Sequence, residues 1–393
     1  MYTWDRPPGL SGLLPRAAMH ERSRRKFLRT AAAAAALAAS RPLAGASDTV
    51  GTAMIGTGNR GQHVLRVAVE QPGVKVTAVC DIKPDRLDRA ATIASRDTPA
   101  TFTDYRKLLE RSDVDAVFIA SPCDLHAEMA IAALRAGKHV YCEKPVGITP
   151  ASIAALVKAA RAAKTVFQVG QQLRANTRLT QTIAKIREGA VGKVIMAKAQ
   201  RHSGDDLAHD GSSADWFFNA SRSGDVIVEM SVHNLDLCNW AIGSRPQLAA
   251  GFGGALLWVN DPPGRTNMDG YTLSYEYAND VKLSYTQVFF HPRGLPGGGQ
   301  FCYVYGTEGA VELDTATLYP RARGAQPVVL VEPTQERLDV QHVAAFYESI
   351  RGGKKPVADI IVGATAALTA ILGREAIYRK KVMTWDELGV DLS

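Results

Sequence analysis

From Thr49 onward the sequence alternates short apolar runs with stretches of helical period, and that alternation leaves few folds open. Residues 50–55, 74–80, 114–120, 138–142 and 166–170 are short runs dominated by apolar residues, as expected of parallel strands buried on both faces. Between them, residues 61–70, 84–95, 105–111, 125–136 and 150–163 place apolar side chains at helical spacing. Pro84 and Pro150 suit first-turn positions, and Gly137 suits a left-handed helix cap. Sustained over this length, the pattern predicts a doubly wound α/β domain.

The first crossover reads Gly56-Thr57-Gly58-Asn59-Arg60-Gly61. The first glycine permits the tight turn, the second lets backbone approach a pyrophosphate, and the third lets helix pack on strand. The helix N-terminus then faces the anion. Alone the motif is weak, but here it follows a strand, opens a helix and is answered by Asp81 at the end of the second strand. A carboxylate there accepts from ribose hydroxyls and repels a 2′-phosphate, which favours NAD over NADP; Lys83 nearby pulls the other way.

The N-terminus is expected to be removed before the fold matters. Ser23-Arg24-Arg25-Lys26-Phe27-Leu28 is a twin-arginine signature, followed by an alanine-rich run and Ala44-Gly45-Ala46. Residues 1–46 are therefore read as a leader, with Met1 or Met19 as the start, and the mature chain as periplasmic or secreted. The 46 leader residues carry a net +6 of the whole chain's +7. The mature 347 residues are nearly neutral, which gives no reason to expect a nucleic-acid partner, and no stable membrane anchor is expected. The five cysteines form no CxxC and read as buried thiols.

After Gln171-Gln172-Leu173-Arg174 the pattern changes to alternating segments, at 192–200, 248–257, 271–277, 281–289 and 301–305. These predict a mainly antiparallel sheet, with a hairpin turn at Asn279-Asp280. Two amphipathic helices are expected at 338–351 and 359–379. Before the sheet's later strands, Glu229, His233, Asp236 and Trp240 fall on one face of a helix. A buried polar stripe is costly unless partnered, so His233 is either a structural histidine or a proton-transfer group. His202, Asp205, Asp206, His209 and Trp216 precede this helix; their spacing fits no metal site, and a polar sugar-binding loop with an aromatic platform is expected.

The series GTGNRG, VCDIKPDR and ASPCDLHAEMAIAALRAGKHVYCEKPVG, with the later His-x-x-Asp, resembles the Gfo/Idh/MocA oxidoreductases. The resemblance covers essentially the whole mature chain. It implies a Rossmann dinucleotide-binding domain at 47–170 and an α+β domain with a large open-faced sheet at 171–335. Helices in 336–393 would pack back at the domain joint. It places Lys144 of Glu143-Lys144-Pro145 beside the nicotinamide and the reacting carbinol, with Glu143 near the ribose and Ser121, Pro122 and His126 lining the cofactor. Cys123 stands where the family often has Asn, Glu229 replaces an expected Asp, and Ser231 an expected Gly.

Lys144, His233 and Glu229 are thus the expected catalytic group, and Arg174, His202, Trp216 and Asp236 the expected substrate contacts. The reaction expected is NAD-dependent oxidation of a sugar or cyclitol CH–OH group, by a homo-oligomer paired through the open sheet face. Outside the cytoplasm no soluble NAD pool is expected, so the cofactor would have to stay bound and be restored in each turnover. Redox-assisted glycoside cleavage is the alternative chemistry, and a non-catalytic dinucleotide- or sugar-binding protein the alternative class.

Overall fold

Six strands, β1 (Val50–Ile55), β2 (Val74–Cys80), β3 (Ala100–Phe102), β4 (Ala116–Ile119), β5 (His139–Cys142) and β6 (Phe167–Val169), form a parallel sheet in the order β3-β2-β1-β4-β5-β6. This computed structural model describes residues 49–204 and 214–393. The twin-arginine stretch and Asp205, Asp206 and His209 lie outside the described residues. Strand β1 is flanked by β2 on one side and β4 on the other, so the chain reverses its winding there and opens a crevice beyond the strand ends. The edge strand β3 was not expected; with three half-exposed residues it carries no periodic signal.

Helix Leu338–Gly352 comes from the far end of the chain yet completes this first domain. Its Val343, Phe346 and Tyr347 are buried with Met54, Phe118 and Tyr141. Phe118 stacks on Tyr141 at 4.7 Å, and Phe346 meets Phe118 edge-on at 5.3 Å.

The second sheet runs β14-β13-β12-β11-β7-β10-β9-β8-β15. Its strands are β7 (Val194–His202), β8 (Pro246–Gly254), β9 (Gly270–Tyr277), β10 (Lys282–Val288), β11 (Gly299–Gly306), β12 (Gly309–Glu312), β13 (Thr317–Pro320), β14 (Val328–Val329) and β15 (Met383–Thr384). Neighbours are antiparallel except β7 and β10. Alternation gives the sheet two unlike faces. Ala197 and Ala199 point inward with Leu283, Tyr285 and Val304 and are buried under helices Val232–Ile242 and Ile360–Arg379. Met196 and Tyr319 are exposed on the other face, where Phe301 stacks on Tyr303 at 4.6 Å. Helix Ile360–Arg379 is apolar and long enough to cross a bilayer, but most of it is buried inside the protein.

Candidate active site

At the end of β1 the chain turns through Gly56 at φ +84°. A Cβ there would lie 2.6 Å from the Ser121 nitrogen, and one on Gly61 would lie 2.0 Å from the Gly56 carbonyl. Only glycine lets helix Asn59–Val69 start this close to the strand. Gly58 differs: the nearest atom to a Cβ would be on Arg86, 3.4 Å away, so its backbone faces space at a helix N-terminus. Asp81 is 8 % exposed; one oxygen accepts from Thr57 N at 2.7 Å and Thr57 Oγ1 at 3.1 Å, the other from Lys83 N at 2.9 Å. The carboxylate therefore braces the loop while lining the same cleft. This open glycine cradle, closed on one side by an acid, fits NAD.

The cleft encloses about 600 Å³. It runs from Gly56, Gly58, Asn59 and Arg60 past Asp81, Ser121, Pro122 and His126 to Glu143 and Lys144. Trp216, Phe217, Arg222, Glu229 and Met230 close it from the second domain. Both ring nitrogens of His126 meet backbone carbonyls, Ser121 at 2.8 Å and Pro145 at 2.7 Å, so this histidine ties two strand ends together.

Strand β5 delivers Glu143 and Lys144 to the seam. Lys144 Nζ donates to both the backbone carbonyl and Oε1 of Glu229, each at 2.6 Å, and the two side chains are each 15 % exposed. Glu143 is buried; its Oε1 accepts from Arg60 Nε at 2.8 Å and Gln172 Nε2 at 3.1 Å. Arg60 reaches Asp339 with its other arm at 2.7 Å. Asp339 enters from helix Leu338–Gly352, and nothing in the local sequence marks it.

The polar stripe expected on one helix falls on two, Val226–Glu229 and Val232–Ile242, broken at Met230–Ser231. At the break the Ser231 hydroxyl joins Tyr271, Tyr285 and Gln287 instead of leaving the turn open. Each stripe residue then meets the chain leaving the first domain. Glu229 takes Lys144, His233 Nδ1 meets Gln171 Oε1 at 2.9 Å, and Asp236 takes Arg174 through paired bonds of 2.9 and 2.8 Å. Trp240 stacks on the Arg174 guanidinium at 4.9 Å.

Two of the expected substrate contacts are thereby corrected. Half-buried Arg174 and buried Asp236 are paired with each other and neither lines the cleft; each charge compensates the other in a site where a lone charge would be costly. His202 is a third correction. It ends β7 on the outward parity, bonded to Thr286 Oγ1 at 2.9 Å and facing His291, on the opposite side of the sheet from His233. Trp216 does line the cleft.

The His233 imidazole is held well below its ordinary pKa, first by burial and then by the charges of Lys144, Arg201 and Arg60. Gln171 Oε1 accepts from Nδ1–H, which leaves Nε2 as a neutral base. Gln171 and Met230 belong to this site, but in sequence they read only as a domain boundary and an apolar helix position.

Residues 50–171 match the oxidoreductase family with an NAD-binding Rossmann fold, and residues 180–312 match the GFO/IDH/MocA C-terminal domain. The chain belongs to the Gfo/Idh/MocA oxidoreductases. Among relatives of this family, a glycosyl hydrolase family 109 protein of Saccharopolyspora erythraea is 43% identical over 111 residues, 26% of this chain and 24% of that one. Inositol 2-dehydrogenase of Salmonella paratyphi B is 30% identical over 198 residues, 49% of this chain and 53% of that one. The chain thus spans about a quarter of the first relative's length and about half of the second's. A levoglucosan dehydrogenase solved with NADH superposes with a TM-score of 0.71 at 21% identity, over 86% of this chain and 99% of that one.

Proposed function

We propose that this family member oxidises a CH–OH group of a sugar or cyclitol outside the cytoplasm, with NAD that remains bound through the turnover. The observation that carries the reading is Lys144, pinned by Glu229 at 2.6 Å in the same cleft as the glycine loop and close to neutral His233. NAD held along Gly56, Gly58 and Asp81 supplies the hydride acceptor. The protein's own residues do the rest. Glu229 fixes the Lys144 ammonium, which donates to the carbinol oxygen and favours the developing alkoxide. His233 Nε2 takes the hydroxyl proton, while Gln171 holds the tautomer. Trp216 and Phe217 close the cleft against water.

The twin-arginine segment supports export of the folded chain, which lets the cofactor leave with the protein. The outer sheet face, with Phe301, Tyr303 and exposed Met196, suits a second copy of the chain. The test is to purify the protein from the periplasm, sequence its N-terminus, denature it, and assay the supernatant for NAD(H). A sugar and cyclitol panel then follows nicotinamide absorbance. Loss of the reading would be a protein that releases no nucleotide and binds none.

The family 109 relative favours a second reading of the same residues. Oxidation at one sugar carbon acidifies the neighbouring C–H, neutral His233 removes that proton while the Lys144 ammonium holds the carbonyl oxygen, the glycosidic oxygen leaves, water adds, and reduction restores the carbinol. Cleavage of aryl glycosides with no net NADH would select this reading over the first.

A further inference from the structure

Arg201 is a cation at the seam with no carboxylate partner among the described residues. It lies on β7 with the inward parity of Ala197 and Ala199, and in register with Gln287 of β10. Its guanidinium makes one long contact, from Nη1 to the carbonyl of Met230 at 3.5 Å, and Met230 lines the cleft beside Glu229 and Lys144. Neighbouring cations are matched: Arg60 by Glu143 and Asp339, Lys144 by Glu229, and Arg174 by Asp236. Among the described residues no carboxylate lies within 4.0 Å of Arg201. Arg201 is half-buried, where an unmatched charge is costly. Two buried amides show the same want of an acceptor. Among the described residues Gln287 Nε2 and Gln171 Nε2 have no hydrogen-bond partner, although their oxygens are taken by Ser231 and His233.

Beside Met230, at the edge of the cleft, the seam therefore offers one full positive charge. We infer that Arg201 binds a carboxylate carried by the substrate, so that the preferred ligand is a monoanionic sugar acid of the hexuronate type. A planar guanidinium matches both oxygens of a carboxylate, and an excess of a single charge suits a monoanion better than a phosphate dianion. The inference rests on the proposal that the cleft is a sugar site and narrows its substrate class.

The test compares D-glucuronate with D-glucose, and D-galacturonate with D-galactose, on the NAD-loaded full-length protein. Titration calorimetry reads binding and nicotinamide absorbance reads turnover, for wild type, Arg201→Gln and Arg201→Lys. The expected result is a preference for at least one acid over its neutral counterpart of about 10- to 100-fold, the scale of a charge-assisted hydrogen bond. Arg201→Gln should abolish that preference in binding and move the acid limb of the pH profile upward for both sugars, because Arg201 is one of the charges that depress His233, and Arg201→Lys should restore part of the preference. If Arg201→Gln does not fold, partial loss of the preference in Arg201→Lys carries the test. Equal losses of affinity for acid and neutral sugars, measured on the pH plateau, would mean that Arg201 does not discriminate the carboxylate and would overturn the inference. Neutral sugars bound in preference to acids would overturn it while leaving the sugar-site proposal standing. Binding of NAD with no sugar of either kind would remove both.

Discussion

The two walls of the cleft are made by different means. The first is a backbone device: Gly56 at φ +84°, the space beside Gly58 and the brace from Asp81 to Thr57 all lie within a short stretch of β1 and β2. The second is made of side-chain pairs between distant segments. Glu229 stands 85 positions from Lys144, and His233 stands 62 from Gln171. A backbone wall fits one class of ligand and tolerates few residues. A side-chain wall can exchange an expected Asp for Glu229 by one methylene, or an expected Gly for Ser231 with its hydroxyl bonded to Tyr285 at 3.0 Å. On the proposed function, cofactor choice belongs to the first wall and substrate choice to the second.

The sharpest way to break this division is to remove chemistry from the second wall and ask whether the first notices. Lys144→Met and His233→Gln should each lower kcat by about 10²- to 10⁴-fold. The NAD(H) recovered per chain should stay at the wild-type level. Loss of nucleotide from either variant would show that the walls are not separable. The pH profile adds a sign. Because His233 is neutral well below its ordinary pKa, activity should hold its plateau down past pH ~6.5 before falling. Lys144 is one of the charges depressing it, so residual activity of Lys144→Met should show that acid limb displaced upward.

Next in size is a change expected to act on stability alone. Arg174→Leu leaves Asp236 buried without its partner and should cost about 3–5 kcal/mol of unfolding free energy. Arg174→Leu combined with Asp236→Leu should recover most of that loss, and KM for the sugar should be unmoved in the double variant. A large KM effect there would return the pair to the substrate site.

The first wall was legible because its instructions are local. A β-strand, three glycines and an acid at the next strand end sit at fixed offsets, so Gly56, Gly58, Gly61 and Asp81 could be placed from residue order. The second wall was legible in kind and not in partnership. Periodicity put Glu229, His233 and Asp236 on one face, but Gln171, Arg174 and Asp339 come from segments whose approach depends on tertiary packing. His202 shows the limit at a single residue. Extending β7 to 202 decides which side of the sheet it occupies, since each step along a strand reverses the side chain.

A smaller effect probes the first wall. Asp81→Ala removes the acceptor that holds Thr57 and should weaken NAD binding about 10- to 100-fold, the worth of a hydrogen bond to a charged group. Fluorescence titration of NADH into nucleotide-stripped protein measures it, and NADPH titrated in parallel should lose less, because the repelling carboxylate is gone. If the NADH affinity holds, Asp81 is a brace that the loop does not need.

The effect most remote from the chemistry lies behind both walls, at His342. It is fully buried in helix Leu338–Gly352, and its Nδ1 accepts from Tyr141 Oη at 3.0 Å and Gln168 Nε2 at 3.3 Å. Burial pushes its pKa down to about 3. In the unfolded chain an ordinary histidine takes its proton near pH ~6.5. Between those values the unfolded state binds a proton that the folded state refuses, so stability rises with pH through the window. The contribution is complete above pH ~6.5 and is lost as pH falls towards 3, at no more than about 1.4 kcal/mol per pH unit. His342→Asn keeps an acceptor for Tyr141 and removes the titration. Unfolding free energy from denaturant melts at pH 7, 6, 5 and 4 should fall less steeply in the variant than in wild type. The fall should not vanish, since the pKa values of His126, His139 and His233 are lowered by burial in the same sense. Parallel curves for variant and wild type would show that His342 takes up its proton without unfolding the core around Tyr141.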